Sequence, residues 1–275
     1  MTAYRARRRA VRGVQYTILT VFGLIMAAPL IFVLYASLLA PSDYFRVVAP
    51  DQLTLQNYSY VFGHAPIWRW YLNTAFVTAS VVIGAVIVNT LGSWALARFR
   101  FTGKRVVFLA VILILLVPIQ AYLIPLYLQV VNLSWLNTYW SLIVPFLVNP
   151  LLIFLMRQYF GRLPKDLEEA AAIDGANRLK IFWRIGVPLT MTGIATQAIL
   201  AGTWTWNSFL VPVTFINNPS MFVLTLGLDS LQAQNYTLPT VQMAGVVLLT
   251  LPIVVMFLIF QRFIVPSMAS SGIKG

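Results

Sequence analysis

A chain of 275 residues that is 60% hydrophobic and 9% charged is not a soluble domain, since those carry about 25% charged residues. Its net charge of +12 brings nucleic acid to mind, but the basic residues are not interleaved with aromatics as that partner requires, which leaves no nucleic acid among the expected ones. The absence of cysteine excludes both a disulfide framework and a thiolate metal site.

Spanning a bilayer takes roughly 20 mostly apolar residues per helix. Six stretches qualify: Val14–Ala40, Leu72–Ala97, Val106–Val131, Trp140–Phe160, Val187–Ile216 and Val241–Val265. The expected fold is all-α, one polytopic membrane domain over residues 14–266, with an N-terminal arm (1–13) and a C-terminal tail (267–275) on the same side. Arg5, Arg7, Arg8, Arg9 and Arg12 precede the first stretch, which is longer than a signal-peptide core and lacks a clean small-x-small cleavage site. It is expected to stay as an uncleaved first span. Of the 19 basic residues only Arg46 and Arg69 fall on the opposite face, so both termini are expected in the cytoplasm.

The connection from Pro41 to Tyr71 is rich in aromatics, among them Tyr44, Phe45, Trp68 and Trp70. Such residues form interfacial belts, or a docking surface for an external partner. Arg98 to Arg105 joins the second and third stretches around Gly103, which suits a tight turn, and reads as an anchor. Pro118, Pro125, Pro145 and Pro150 are expected to kink the third and fourth spans. Gln120, Tyr122, Asn149 and Gln158 lie near those kinks. They suit a water-filled path for a hydroxylated solute, or equally a polar glue between helices. Trp204-Thr205-Trp206-Asn207-Ser208 in the fifth span offers aromatic faces and hydrogen-bonding groups to a sugar ring, or ordinary belt packing.

Between the fourth and fifth spans lies a charged, helix-prone island at about 161–188. Pro164 suits a first helical position, and Asp166, Glu168 and Glu169 complement the positive end of the helix dipole. Leu167, Ala170 and Ala171 offer a small apolar surface, and Gly175 is expected to end the first helix. A second helix is expected from about Asn177 to Arg184, with Ile181 and Ile185 on one face.

Several chemistries are missing. There is no G-x-x-x-x-G-K-[ST] phosphate loop, and the lone His64 allows no multi-histidine metal site, so neither catalytic nor metal-binding residues are expected. The span centres hold almost no ionisable groups, which argues against a proton- or sodium-coupled carrier.

The island's pattern (Glu169-Ala170-Ala171, then Asp174-Gly175, then Ile185-Gly186-Val187-Pro188) resembles the coupling loop of binding-protein-dependent ABC importers. Together with Ala95–Phe101, Leu123–Tyr127, Trp206–Phe209 and Ser271–Gly275, it resembles the permease subunits of ABC carbohydrate importers of the maltose-permease MalG type. Ser208 stands where that family often has Asp, and Val187 where Leu is usual.

The resemblance implies a type I importer permease fold in the cytoplasmic membrane of a bacterium or archaeon, carrying a sugar, with an oligosaccharide as the expected kind. It further implies a second, MalF-like permease subunit, a cytoplasmic ATPase dimer that binds ATP and Mg, and an extracytoplasmic solute-binding protein, with no cofactor on this chain. Glu169, Ala170, Ala171, Asp174, Gly175, Ile185 and Pro188 would meet the ATPase, as would Gly272, Lys274 and Gly275 of the tail. Gln120, Tyr122, Asn149, Trp204, Trp206 and Asn207 are the residues assigned to a substrate path. The alternatives are an importer for another solute, such as a polyol, a glycerol phosphate ester or a peptide, and a stand-alone secondary carrier.

Overall fold

The computed structural model describes the backbone of residues 2–234 and 238–271, and side chains for 12–231, 238–255, 257 and 258. Every regular element among them is helical. By its contacts the chain divides into two compact units, Met1–Pro66 with Ser230–Leu251, and Ile67–Asp229 with Pro252–Gly275.

In the first unit, α1 (Thr2–Ser37) carries an apolar stretch, Arg12–Ser37, that is long enough to cross a bilayer and unburied over its most apolar window. Two 3-10 turns, each opened by a proline (Pro41–Asp43 and Pro50–Gln52), lead to α2 (Gln56–His64). Asn57 of α2 is buried, and its amide donates to the carbonyls of Ser37 (2.8 Å) and Leu39 (2.7 Å). Its Oδ1 accepts from Thr240 near the start of the final helix (3.0 Å). A buried amide is tolerable because its bonds are made.

The second unit opens with α3 (Ile67–Arg98), one unbroken span of 32 residues. Gly103, at φ +80°, makes the tight turn expected of it. The third predicted span is two helices, α4 (Lys104–Ile114) and α5 (Ile119–Asn132), meeting at 103°. Hydropathy reads this stretch as continuous because it registers apolarity and not direction. Pro118 stands at the break and Pro125 lies inside α5.

The fourth span passes through α6 (Tyr139–Ile143), a 3-10 turn and α7 (Pro150–Arg162), with Pro145 in the turn and Pro150 at the first position of α7. Next come α8 (Lys165–Ile173) and α9 (Arg178–Ile181), a π-helical turn over Phe182–Gly186, and α10 (Val187–Leu189). The stretch from Arg178 to Leu189 meets α11 (Met191–Trp206) at 76°.

The fifth predicted span is therefore broken too, and beyond Trp206 it continues only after a loop, as α12 (Leu210–Phe215). Finally α13 (Leu224–Gln234) precedes α14 (Pro239–Ser271), on which the sixth predicted span falls. Among the described residues, three helices are long and apolar enough to cross a membrane, or five if each bent pair is one span.

At the centre of the second unit α3 packs against α7 and α11. Buried polar groups link the three: Ser93 donates to the Ile153 carbonyl (2.9 Å) and Gln197 to Thr90 (3.3 Å). Asn89, fully buried, donates to the Leu147 carbonyl (2.9 Å) and accepts the Asn149 amide hydrogen (2.9 Å). It thus bonds both sides of the irregular backbone before α7, which membrane proteins tolerate only when it is buried and satisfied. Asn89→Leu is expected to lower stability by about 1–3 kcal/mol, because backbone groups would be orphaned. Thermal unfolding in detergent checks this.

Candidate functional site

The charged island is an ordered helix-turn-helix. Pro164 sits one place before the first position of α8, as its N-cap, with Asp166 and Glu168 in the first turn. Gly175 ends the helix at φ +79°, as the sequence implied, and the amide hydrogens of Gly175 and Ala176 close on Ala172 and Ala171. Asn177 then caps α9 through the Lys180 amide (2.8 Å). The second helix runs past its expected end at Arg184, through the π turn, to Leu189.

This loop rests on an aromatic seat. Trp94 of α3, Met156 and Phe160 of α7, and Ile181 and Phe182 form a buried cluster on which Ala171, Ala176 and Ile185 pack. The predicted loop residues therefore divide in two. Ala171 and Ile185 face the seat, whereas Glu169, Ala170, Asp174, Gly175 and Pro188 are exposed. Around them stand exposed apolar side chains: Leu167, Leu179, Trp183 and Ile173, the last 87% exposed. Charged and apolar groups standing out together on a rigid base make a surface suited to a protein partner. Ile173 and Leu179 were not among the predicted residues, although apolar positions beside Asp174-Gly175 were the available signal.

Residues 98–105 do more than anchor helix ends. Arg98 forms an ion pair with Glu168, the two side chains being 8% and 18% exposed, and donates to the Leu163 carbonyl (2.8 Å). The Arg178 guanidinium lies 5.0 Å from the centre of the Phe99 ring. Burial pushes the Glu168 carboxyl above the usual range; Arg98 and Lys165 oppose this, and Glu169 reinforces it.

Toward the other end of the second unit is a cavity of about 190 Å³, lined by Thr74, Thr78, Asn149, Trp204, Thr205 and Ser208 among apolar neighbours. Its polar groups are uncharged. Asn149 and Trp204 are the path residues the structure brings together; Gln120, Tyr122, Trp206 and Asn207 lie outside this cavity. Trp206 stands 6.4 Å, ring to ring, from Tyr71, and Asn207 donates to the Thr203 carbonyl (2.9 Å). Thr74 and Thr78 of α3 gave no sequence signal, because an isolated Thr is unremarkable within a span. Gly272, Lys274 and Gly275 lie outside the described residues.

Residues 88–270, which include the whole loop, match the family of binding-protein-dependent transport system inner membrane components. The chain belongs to that family. It is 34% identical over 253 residues to an arabinooligosaccharides transport system permease protein of Halalkalibacterium halodurans, covering 90% of this chain and 91% of the relative. To a maltodextrin transport system permease protein of Bacillus subtilis it is 31% identical, covering 89% and 92%.

Among solved structures, one of a bacterial ABC transporter involved in the import of the acidic polysaccharide alginate superposes with a TM-score of 0.79 at 25% identity. That match covers 92% of this chain and 96% of the other. The permease thus has the ABC importer permease fold and is the membrane component of a system that works with a solute-binding protein and an ATPase. Membership sets aside the stand-alone carrier.

Proposed function

We propose that this permease forms half of an alternating-access pathway for a neutral oligosaccharide and takes its power stroke through the α8–α9 loop. The observation that carries this reading is the exposed turn Glu169–Gly175 standing on a buried aromatic seat: a surface built to receive force, held by a base built to pass it on. A second, related permease completes the pathway. Two copies of an ATPase holding ATP and Mg sit on the cytoplasmic face against Glu169, Ala170, Asp174, Gly175 and Pro188, and a binding protein delivers solute from outside.

The side carrying the loop is the basic one, which supports cytoplasmic termini. Gly272, Lys274 and Gly275 reach the same ATPase in this reading, and residues 14–266 form the membrane domain between the arm and the tail.

A sugar is favoured by the names of the relatives and by the cavity. An aromatic face, an amide and hydroxyls converge there with no charge, which suits a neutral ring better than an acidic one. At about 190 Å³ the cavity falls below the roughly 300 Å³ at which ordinary ligand pockets begin, as expected of one half of a shared path.

The deciding experiment is affinity purification from the native membrane in mild detergent, with retained proteins identified by mass. A second permease and an ATPase are expected; recovery of this chain alone in several detergents would overturn the reading. With the complex in hand, uptake of arabino-oligosaccharides and of maltodextrins is compared. For whichever is carried, Trp204→Ala is expected to raise the KM of uptake by about tenfold, equivalent to about 1.4 kcal/mol. An unchanged KM would place the solute elsewhere.

A further inference from the structure

A turn joining two spans needs little more than Gly103, yet the turn between α3 and α4 grips both arms of the coupling loop. Arg98 holds α8 through Glu168 and the approach to α8 through the Leu163 carbonyl, while Phe99 meets Arg178 at the start of α9. Exposed ion pairs contribute little and transmit little. This one is largely withdrawn from solvent, where losing one partner leaves a stranded charge. Lys104 donates to the carbonyls of Ala97 (3.1 Å) and Phe99 (3.0 Å), so Arg98 pulls on a closed helix end and not on a frayed one.

We propose that Arg98 is a positioning residue: through Glu168 it carries the displacement of the coupling loop into α3, and along α3 into the cavity wall. The path lies parallel to the covalent connections of α8 to α7 and of α10 to α11. At 1.5 Å per residue, α3 spans about 30 Å between Arg98 and Thr78. Thr74, Val77, Thr78 and Val81 of the cavity lining all stand on it. One helix therefore has a handle at the motor end and part of the solute path toward the other. This inference rests on the coupling reading above.

The chain contains no cysteine, so Thr78→Cys gives it a single reporting thiol. The complete transporter is reconstituted in vesicles, and the labelling rate by a small methanethiosulfonate reagent is read without nucleotide and after trapping with ATP, Mg and vanadate. ATP is expected to change the rate in the reporter background. Arg98→Gln or Glu168→Gln is expected to shrink that change by about tenfold, a common size of coupling between sites. ATPase retention and vanadate trapping should persist in both.

The exchanged pair, Arg98→Glu with Glu168→Arg, is expected to restore the change, which a merely structural defect at either site would not allow. A full ATP-driven change in both Gln variants overturns the proposal. So does an exchanged pair that assembles and traps nucleotide yet restores nothing. If the reporter complex itself retains no ATPase, it is the coupling reading that fails, whatever Arg98 does.

Discussion

Gly175→Asp and Glu169→Lys are each expected to leave the permease folded and inserted while cutting uptake by about a hundredfold, near the upper end of site-to-site couplings. The reason lies in what surrounds the two positions. A Cβ built on Gly175 meets no atom within 4 Å, so the chain itself has room for a side chain there. Its φ of +79° costs a non-glycine residue about 1–2 kcal/mol, and Asp is among those that bear it best. The folded chain therefore loses little, and what is lost is close approach by a partner. Glu169 is exposed beside the half-buried Glu168, and a lysine there removes a like charge from that carboxylate, so the Arg98 ion pair stays in place while the outward surface reverses its sign. The check is ATP hydrolysis and uptake measured on the same vesicles, with expression matched. Wild-type uptake by either variant would remove the loop from the coupling path.

The second large effect is expected inside the membrane unit. A Cβ at Gly193 of α11 would lie 2.7 Å from the Tyr159 ring and 2.9 Å from the Met156 sulfur, both on α7. Without a hydrophobic drive to bring helices together in lipid, close backbone approach at small residues is what holds such a seam. Gly193→Leu is expected to force α7 and α11 apart and to lower stability by about 3 kcal/mol, the upper range of overpacking. Gly193→Ala should cost less. Thermal unfolding in detergent and the yield of inserted protein report both, and an unchanged midpoint for the Leu variant would mean the seam gives way without cost.

What the sequence disclosed follows from how far each signal reaches. Long apolar runs locate spans because burial in lipid acts on every residue of the run, and α1 and α3 lie where those runs are. Direction is not encoded that way, so both bent pairs looked straight. Pro118 and Pro125 were equal candidates for a kink. Pro118 serves at the break, where its missing amide hydrogen costs nothing, while α5 absorbs Pro125 in its interior. The outward loop residues were legible because their spacing is local, from Glu169 to Gly175. Their seat was not, since Trp94, Phe160 and Phe182 come from three separate helical stretches and only folding unites them. For the same reason Arg98 read as one more basic residue at a helix end, and Thr74 and Thr78 as ordinary span residues.

The π turn at Phe182–Gly186 gives the motif's fixed interval a physical meaning. A π turn holds one residue more than an α turn of the same helix. The count from Gly175 to Pro188 thus contains a residue of stored length, and a helix that took it up would turn everything beyond by about 100° and shift it by about 1.5 Å. Seen as text, the interval is a spacing between letters; seen as machinery, it is the setting of a screw. Deleting the exposed Arg184 would remove no residue of the seat and would still aim Ile185 and the start of α11 in a new direction.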